Sequence, residues 1–231
     1  MSIAENIAQV RERIARAAEE CGRAPSEIKL VGASKMNGAA ACREAIAAGI
    51  DALGENRVQE MTQKLAEHAY DGAPLHFIGH LQRNKVKQVV GKVDLIESVS
   101  SLELLGAIDA FSEKLSLVQD VLLEVNIGGE AAKSGFAPEA LSAAAEHALS
   151  LPHVRVRGLM CIPPVADEKH GSIPYFEKVH SLFVDINENL YHNRLDILSM
   201  GMSGDYEDAV RCGATLVRVG TAIFGRRDYT I

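Results

Sequence analysis

Lys35 follows the run Leu30-Val-Gly-Ala-Ser34, so an ammonium stands at the end of an apolar stretch of strand length. A charge at the end of a buried strand needs either a partner or a purpose. Desolvation lowers a lysine's pKa and frees its amine to attack aldehydes, the chemistry of Schiff-base lysines. The plainer alternative is a lysine whose stem lies along the strand while its charge reaches solvent. On this segment alone the plainer alternative is the stronger one.

Two more segments carry chemistry. Ser199-Met200-Gly201-Met202-Ser203-Gly-Asp205 leads from an apolar run into the helical pattern Tyr206–Cys212, which Gly213 closes. Ser203 or Asp205 is placed to cap that helix, and free amides at such a start attract phosphate. In Arg218-Val-Gly220-Thr221, Gly220 lets the backbone approach a ligand and Thr221 adds a hydroxyl. An ordinary cap and a strand glycine explain each piece separately. Together they fall where parallel barrels build phosphate sites, after the seventh and eighth strands. Arg218 alternates with Val217 and Val219 and faces the opposite way. Pointing inward, it needs a partner. A pyridine nitrogen that accepts its hydrogen bond stays unprotonated, which weakens such a ring as an electron sink. An acid of the barrel is an equally good partner at this point.

His76 and His80 lie four apart on one strand face, and Glu55 invites a metal reading. Metal sites show three or more ligands at recognisable spacing, and the other histidines (68, 147, 153, 170, 180 and 192) are scattered. His80 reads better as a hydrogen-bonding group at a site's mouth. Tyr175, Tyr191, Tyr206 and Tyr229 stand in no context that marks a catalytic base. There is no Gly-x-Ser-x-Gly elbow, Ser-His-Asp grouping or P-loop.

The elements that must position these residues are legible as eight apolar runs. They are Leu30–Lys35, Ala52–Arg57, Leu75–His80, Asp94–Val99, Gln119–Asn126, Val154–Ile162, Ile197–Gly201 and Leu216–Phe224. Helical patterns separate them at Ala39–Ala48, Val58–His68, Arg83–Val90, Ser101–Leu115, Pro138–Ser150, Ile173–Tyr191 and Asp205–Cys212. An amphipathic helix over residues 2–22 precedes them all, with Ile3, Ile7, Val10, Ile14 and Ala17 on one face. Alternation of this kind predicts an α/β fold with parallel strands, and eight units predict one closed (β/α)8 TIM-type barrel with an extra N-terminal helix. An open doubly wound sheet is the rival. Closure is favoured because no linker divides the chain, so residues 1–231 read as one domain. It is favoured also because polar residues gather at the carboxyl ends of the runs: Lys35, Glu55-Asn56-Arg57, His80, Asn126 and Ser199–Ser203, with Gly220-Thr221 inside the eighth. The loop Pro163–Ile173 is the longest irregular stretch and reads as a flap.

The 231 residues include 24 Lys and Arg against 31 Asp and Glu, a net charge of −7, and the sequence pI is near 5.6. That excludes an extended nucleic-acid footprint. The basic stretch Arg83, Lys85, Lys87 and Lys92 reads as a solvated helix face. Cys21, Cys42, Cys161 and Cys212 form no Cys-x-x-Cys pair and fit reduced thiols in a cytoplasmic protein. The N-terminus lacks a signal-peptide pattern, and no run approaches the roughly 18 apolar residues of a spanning helix.

Six ordered motifs give a resemblance. Ala33-Ser-Lys35, Gly54-Glu-Asn56-Arg-Val-Gln-Glu60, His76-Phe-Ile-Gly-His80-Leu-Gln82-Arg-Asn-Lys85, Gly158-Leu-Met160, Ser199–Ser203 and Arg218–Gly225 closely resemble the pyridoxal phosphate homeostasis proteins, over residues 2 to 229. The resemblance implies a single barrel similar to the cofactor domain of alanine racemase. It implies pyridoxal 5′-phosphate on Lys35 as a Schiff base and Arg218 facing the pyridine nitrogen. Asn56 and His80 would line the ring. The Ser199–Ser203 motif (Met200 and Gly201 included), Gly220 and Thr221 would hold the phosphate. It implies a carrier or regulator without robust enzymatic activity, which buffers or delivers the cofactor, influences amino- and keto-acid balance and serves pyridoxal-phosphate-dependent apoenzymes as clients. A racemase or lyase using the same cofactor is the alternative; a cofactor-free or metal-dependent barrel ranks third. The second, β-rich domain of a racemase is not expected here, which favours a monomer. One departure stands beside the lysine. Such proteins commonly have Ser-Lys-Thr-Lys-Pro, where this chain has Ser34-Lys35-Met36-Asn37-Gly38. Lys133 remains as a possible second basic site.

Overall fold

The computed structural model describes residues 1–130, 133–164 and 171–225. Eight parallel strands close into a barrel in sequence order: β1 (Lys29–Ala33), β2 (Ala52–Glu55), β3 (Leu75–Phe77), β4 (Leu95–Val99), β5 (Gln119–Val125), β6 (Val154–Cys161), β7 (Ile197–Ser199) and β8 (Leu216–Val219). The seam closes where β8 pairs with β1, Arg218 lying opposite Val31. The helices are α1 (Ile3–Glu20), α2 (Ala39–Ala47), α3 (Val58–Ala66), α4 (Leu102–Lys114), α5 (Leu141–Leu149), α6 (Ile173–Asn189), α7 (Tyr206–Arg211) and α8 (Thr221–Phe224).

The strands form because their residues are apolar on both faces, as a barrel covered by helices requires. Leu30, Leu53, Phe77, Ile96, Leu123, Leu159, Leu198 and Val217 face outward into one core shared with the helices. Their alternates fill the barrel. Val31, Ala52, Leu216 and Ile197 pack in one interior cluster, and Leu95, Leu122, Met160 and Ile162 in another. Two residues further along their strands, on the same inward face, come Glu97, Glu124, Ser199 and Arg218. The interior is therefore apolar below and charged near the carboxyl ends.

The N-terminal helix α1 starts on a capping box in which Ser2 and Glu5 each accept the other's backbone N–H. Its buried stripe Ile7, Val10, Ile14 and Ala17 packs on α2, α7 and α8, across the seam. Fully burying one such isoleucine contributes about 1.5–3 kcal/mol.

Several boundaries differ from the sequence pattern. β1 ends at Ala33, so Lys35 lies in the turn beyond it. β8 stops at Val219 instead of running to Phe224; Gly220 caps the one-turn α8. Residues Arg83–Gln88 form a 3-10 segment, and the Pro138 pattern opens with one at Pro138–Ala140 before α5. Within the loop Pro163–Ile173, residues 165–170 lie outside the described residues, as do His170 and Tyr229.

Candidate functional site

The turn carrying Lys35 is clamped from behind. The Lys64 ammonium on α3 donates to the carbonyl of Ser34 (2.9 Å), to Glu55 Oε1 (2.6 Å) and to Glu60 Oε1 (2.7 Å). Glu55 Oε1 also accepts from Ser34 Oγ (2.7 Å) and from the Tyr70 hydroxyl (3.1 Å). Glu60 accepts the N–H of Met36. The backbone is thus held on both sides of Lys35, and Met36 takes a left-handed φ of 64°. Burial works against the charge on Lys64, but the Glu55 and Glu60 hydrogen bonds outweigh it and raise its pKa. Burial together with Glu55 also pushes the Tyr70 phenol far up. The metal reading of Glu55 with His76 and His80 finds no geometry here, because Glu55 binds Lys64 while His76 binds Glu97.

Inside the barrel, Arg218 is 3% exposed. Its Nη1 donates to Ser199 Oγ and its Nη2 to the Cys161 carbonyl (2.9 Å). Ser199 Oγ donates to Glu97 Oε2 (2.5 Å), which lies 3.8 Å from Arg218 Nη1. Glu97 Oε1 meets His76 Nδ1 at 2.7 Å. Glu97 is fully buried, which opposes its charge, yet His76, Arg218 and Ser199 together hold its pKa below the usual carboxylate range. An ionised Glu97 makes His76 Nδ1 the donor. Both sequence alternatives for Arg218 therefore bear on one residue. An acid of the barrel supports it, and a guanidinium with five N–H groups has donors left after the two bonds above.

The segments that follow the seventh and eighth strands meet at Ser203. Its Oγ accepts the N–H groups of Gly220 (3.2 Å) and Ala222 (3.4 Å). Gly201, at φ +90°, makes the bend: a Cβ there would stand 2.5 Å from Ala209 Cβ and 2.9 Å from Tyr206 Cα. Asp205 fixes the next turn, accepting from Met202 N (2.7 Å) and Ser172 Oγ (2.9 Å). Gly220 abuts Ala33, which ends β1, so this corner adjoins the Lys35 turn. Ser203, Gly220 and Thr221 reach the surface, whereas Ser199 and Met200 have no exposed surface at all. Met200 belongs to the core between barrel and helices, and Ser199 belongs to the Arg218 network.

Asn56 and His80 follow β2 and β3. Gly79 lets these two loops touch, since a Cβ there would sit 2.2 Å from the Asn56 carbonyl oxygen. His80 is exposed, and Asn56 Oδ1 is buried with no partner. Glu124, buried on the inward face of β5, is a residue that the sequence reading did not single out. It follows the inward-facing Leu122 by two, and its carboxylate shares the single hydroxyl proton of Ser134, whose Oγ lies 2.9 and 3.0 Å from the two oxygens. Burial pushes its carboxyl up, and Ser134, His80 and Arg218 only partly offset that. Asn126 serves its own loop, donating to Glu130 and Lys133 carbonyls. Lys133 pairs with Glu130 and donates to the Pro163 carbonyl (3.2 Å).

Two larger cavities lie elsewhere. One, of about 440 Å³, is lined by Leu149, Arg155, Tyr191 and Arg194. The other, of about 420 Å³, opens at the amino end of the barrel among Lys29, Asp51, His76 and Asp196. Neither contains Lys35, Ser203 or Gly220, so volume alone does not mark the site. The convergence of polar groups at the carboxyl end does.

Comparison with known proteins shows the family. The family model for the alanine racemase N-terminal domain matches residues 2–228. The pyridoxal phosphate homeostasis protein of Aquifex aeolicus is 44% identical over 229 residues, 99% of this chain and 100% of that protein. The protein of the same name from Pseudomonas aeruginosa is 44% identical over 228 residues, covering 99% and 97%. PipY of Synechococcus elongatus, solved with PLP bound, superposes with a TM-score of 0.83 at 34% identity, covering 97% of this chain and 100% of that one.

Proposed function

Because this chain belongs to the alanine racemase N-terminal domain family, among the pyridoxal phosphate homeostasis proteins, we propose that it binds pyridoxal 5′-phosphate at the barrel mouth and acts in cofactor homeostasis. The carrying observation is the convergence of three unlike groups at one end of one barrel. The turn at Lys35 supplies an amine, Arg218 a buried permanent donor, and the Ser203–Gly220–Thr221 corner a cradle for an anion, with Ser203 Oγ standing on the Gly220 and Ala222 amides where an anion oxygen would sit. Those are the partners that an aldehyde, a ring nitrogen and a phosphate need. The unpartnered Asn56 Oδ1 adds a polar position for the ring.

Lys35 Nζ would hold the cofactor through its aldehyde carbon as a Schiff base, and the group would bring an electron-withdrawing ring to the mouth. Arg218, held by Ser199 and the Cys161 carbonyl, would donate to the ring nitrogen and so keep it unprotonated. Ser199 and Met200 act from below, Ser199 by orienting Arg218 and Met200 by packing. Gly201 shapes the bend, while Ser203, Gly220 and Thr221 hold the phosphate. Asn56 and His80 flank the ring. A weakened electron sink suits holding the cofactor better than turning over amino acids, so buffering or delivery to pyridoxal-phosphate-dependent apoenzymes is the favoured role. We take residues 1–231 as one barrel domain, acting as a cytoplasmic monomer. Its four free cysteines suit a reducing compartment. Among the described residues no helix is long and apolar enough to cross a membrane.

Addition of the cofactor should give a visible absorption band near neutral pH in the wild type that Lys35→Ala lacks. A wild-type protein that stays colourless would overturn the proposal. Glu124 favours a second reading, a racemase or lyase, because its raised pKa suits an acid/base group. Exchange of an amino acid's α-hydrogen in heavy water, well above that with free cofactor and abolished in Glu124→Gln, would establish that reading.

A further inference from the structure

Arg57, His80 and Lys85 line one cavity of about 160 Å³, with Asn56, Val58, Gln59 and Gln82 completing its wall. No carboxylate lines it. Arg57 and Lys85 have no ion pair among the described residues, although elsewhere most arginines are matched, as in Arg13–Glu207, Arg155–Asp120, Arg157–Asp196 and Arg211–Glu20. In a chain of net charge −7, two unmatched cations turned on one concavity are a local reversal of sign. A wall of low-dielectric protein around such charges focuses their field on the space between them. Arg57 and Lys85 are the permanent charges of this wall. The amides of Asn56, Gln59 and Gln82 add neutral donors to the same wall.

The cavity shares Asn56 and His80 with the candidate site but none of Ser203, Gly220 or Thr221. We propose that it is a second anion subsite, separate from the Ser203 cradle, which receives the oxyanion group of a small molecule at the edge of the mouth. A phosphate monoester and a carboxylate of an amino or keto acid present the same chemistry to Arg57 and Lys85. The subsite exists whether or not Lys35 carries pyridoxal phosphate; its role in guiding anions toward Lys35 rests on the function proposed above.

The test is an amide NMR titration of the full chain carrying Lys35→Ala, with inorganic phosphate in one arm and succinate in the other, at constant ionic strength. Saturable shifts are expected at Val58, Gln59, Gln82 and Lys85. They should weaken about tenfold when Arg57→Gln and Lys85→Gln are added and persist when Ser203→Ala is added instead. Saturation by phosphate alone supports a phosphate ligand, and saturation by succinate alone or by both supports a carboxylate ligand. No saturable shift in either arm, shifts only around Ser203 and Gly220, or shifts unchanged in the Arg57/Lys85 variant would overturn the subsite. Because Lys35 is absent from the test protein, failure of the cofactor proposal would leave these results readable.

Discussion

Lys64 Nζ donates to the carbonyl oxygen of Ser34 at 2.9 Å, so an ammonium buried behind the barrel holds the residue that precedes Lys35. Lys64 simultaneously neutralises Glu55 and Glu60, and Glu60 takes the N–H that follows Lys35. The turn that carries Lys35 is therefore placed by a second lysine that never reaches the mouth.

Removing one partner of a buried pair leaves the other uncompensated, at about 3–5 kcal/mol. Lys64→Met should accordingly lower unfolding free energy by about 3 kcal/mol in urea denaturation. The double variant Glu55→Gln/Lys64→Met should recover part of that loss, because the stranded carboxylate is gone. Additive losses in the double variant would contradict the coupling.

Glu97 and Glu124 should respond to pH with opposite sign. The folded-state pKa of Glu97 is lowered, so its contribution is present above the ordinary value of about 4.3 and is lost as pH falls through the lower folded value. Glu97→Gln should therefore destabilise the protein at pH 7 and flatten the acid limb of its stability profile. Glu124 is raised: its stabilisation belongs to the protonated form and is lost as pH rises through the folded value. Glu124→Gln should gain stability at pH 7 relative to wild type and show no such gain below about pH 4. Thermal unfolding across pH 3–8 checks both.

Gly201→Ala puts a Cβ within 2.5 Å of Ala209 Cβ at a φ of +90°. A cost of about 2 kcal/mol or more follows from strain and overpacking, along with a weakened anion cradle. Gly204→Ala meets nothing within 4 Å and should stay within about 0.5 kcal/mol of wild type. Equal effects at the two positions would refute the role given to the Gly201 bend.

Ser203→Ala should weaken pyridoxal phosphate binding about tenfold in equilibrium dialysis, because a hydroxyl at the cradle is lost. Ser199→Ala should act differently, lowering stability as it unties Arg218 from Glu97. A loss of affinity with unchanged stability in Ser199→Ala would place Ser199 in the cradle instead.

The barrel was legible because eight short apolar runs alternate with longer helical patterns, and the mouth because polar residues stop most of those runs. The positions of Lys35 and the Ser203–Gly220 corner followed from those polar ends, and the inward direction of Arg218 from its alternation with Val217 and Val219. Ends were harder to read. Thr221–Phe224 is apolar enough to extend a strand, but its backbone closes on the Gly220 and Thr221 carbonyls as a turn of helix while Ser203 Oγ takes the Gly220 and Ala222 amides. Lys64 looked like any helix lysine, since nothing local announces that Glu55, nine residues earlier, turns outward to meet it. Glu124 carried a usable signal, its two-residue spacing from inward Leu122, whereas its partner Ser134 comes from a loop whose path is tertiary.

The central claim is that Lys35 is the attachment point. Incubation with pyridoxal phosphate, reduction with borohydride and peptide mapping by mass spectrometry test it directly. The modification should fall on Lys35 at close to one per chain and be absent from Lys35→Ala. Modification centred on Lys133 or Lys85, or spread over surface lysines at the same yield in Lys35→Ala, would contradict it.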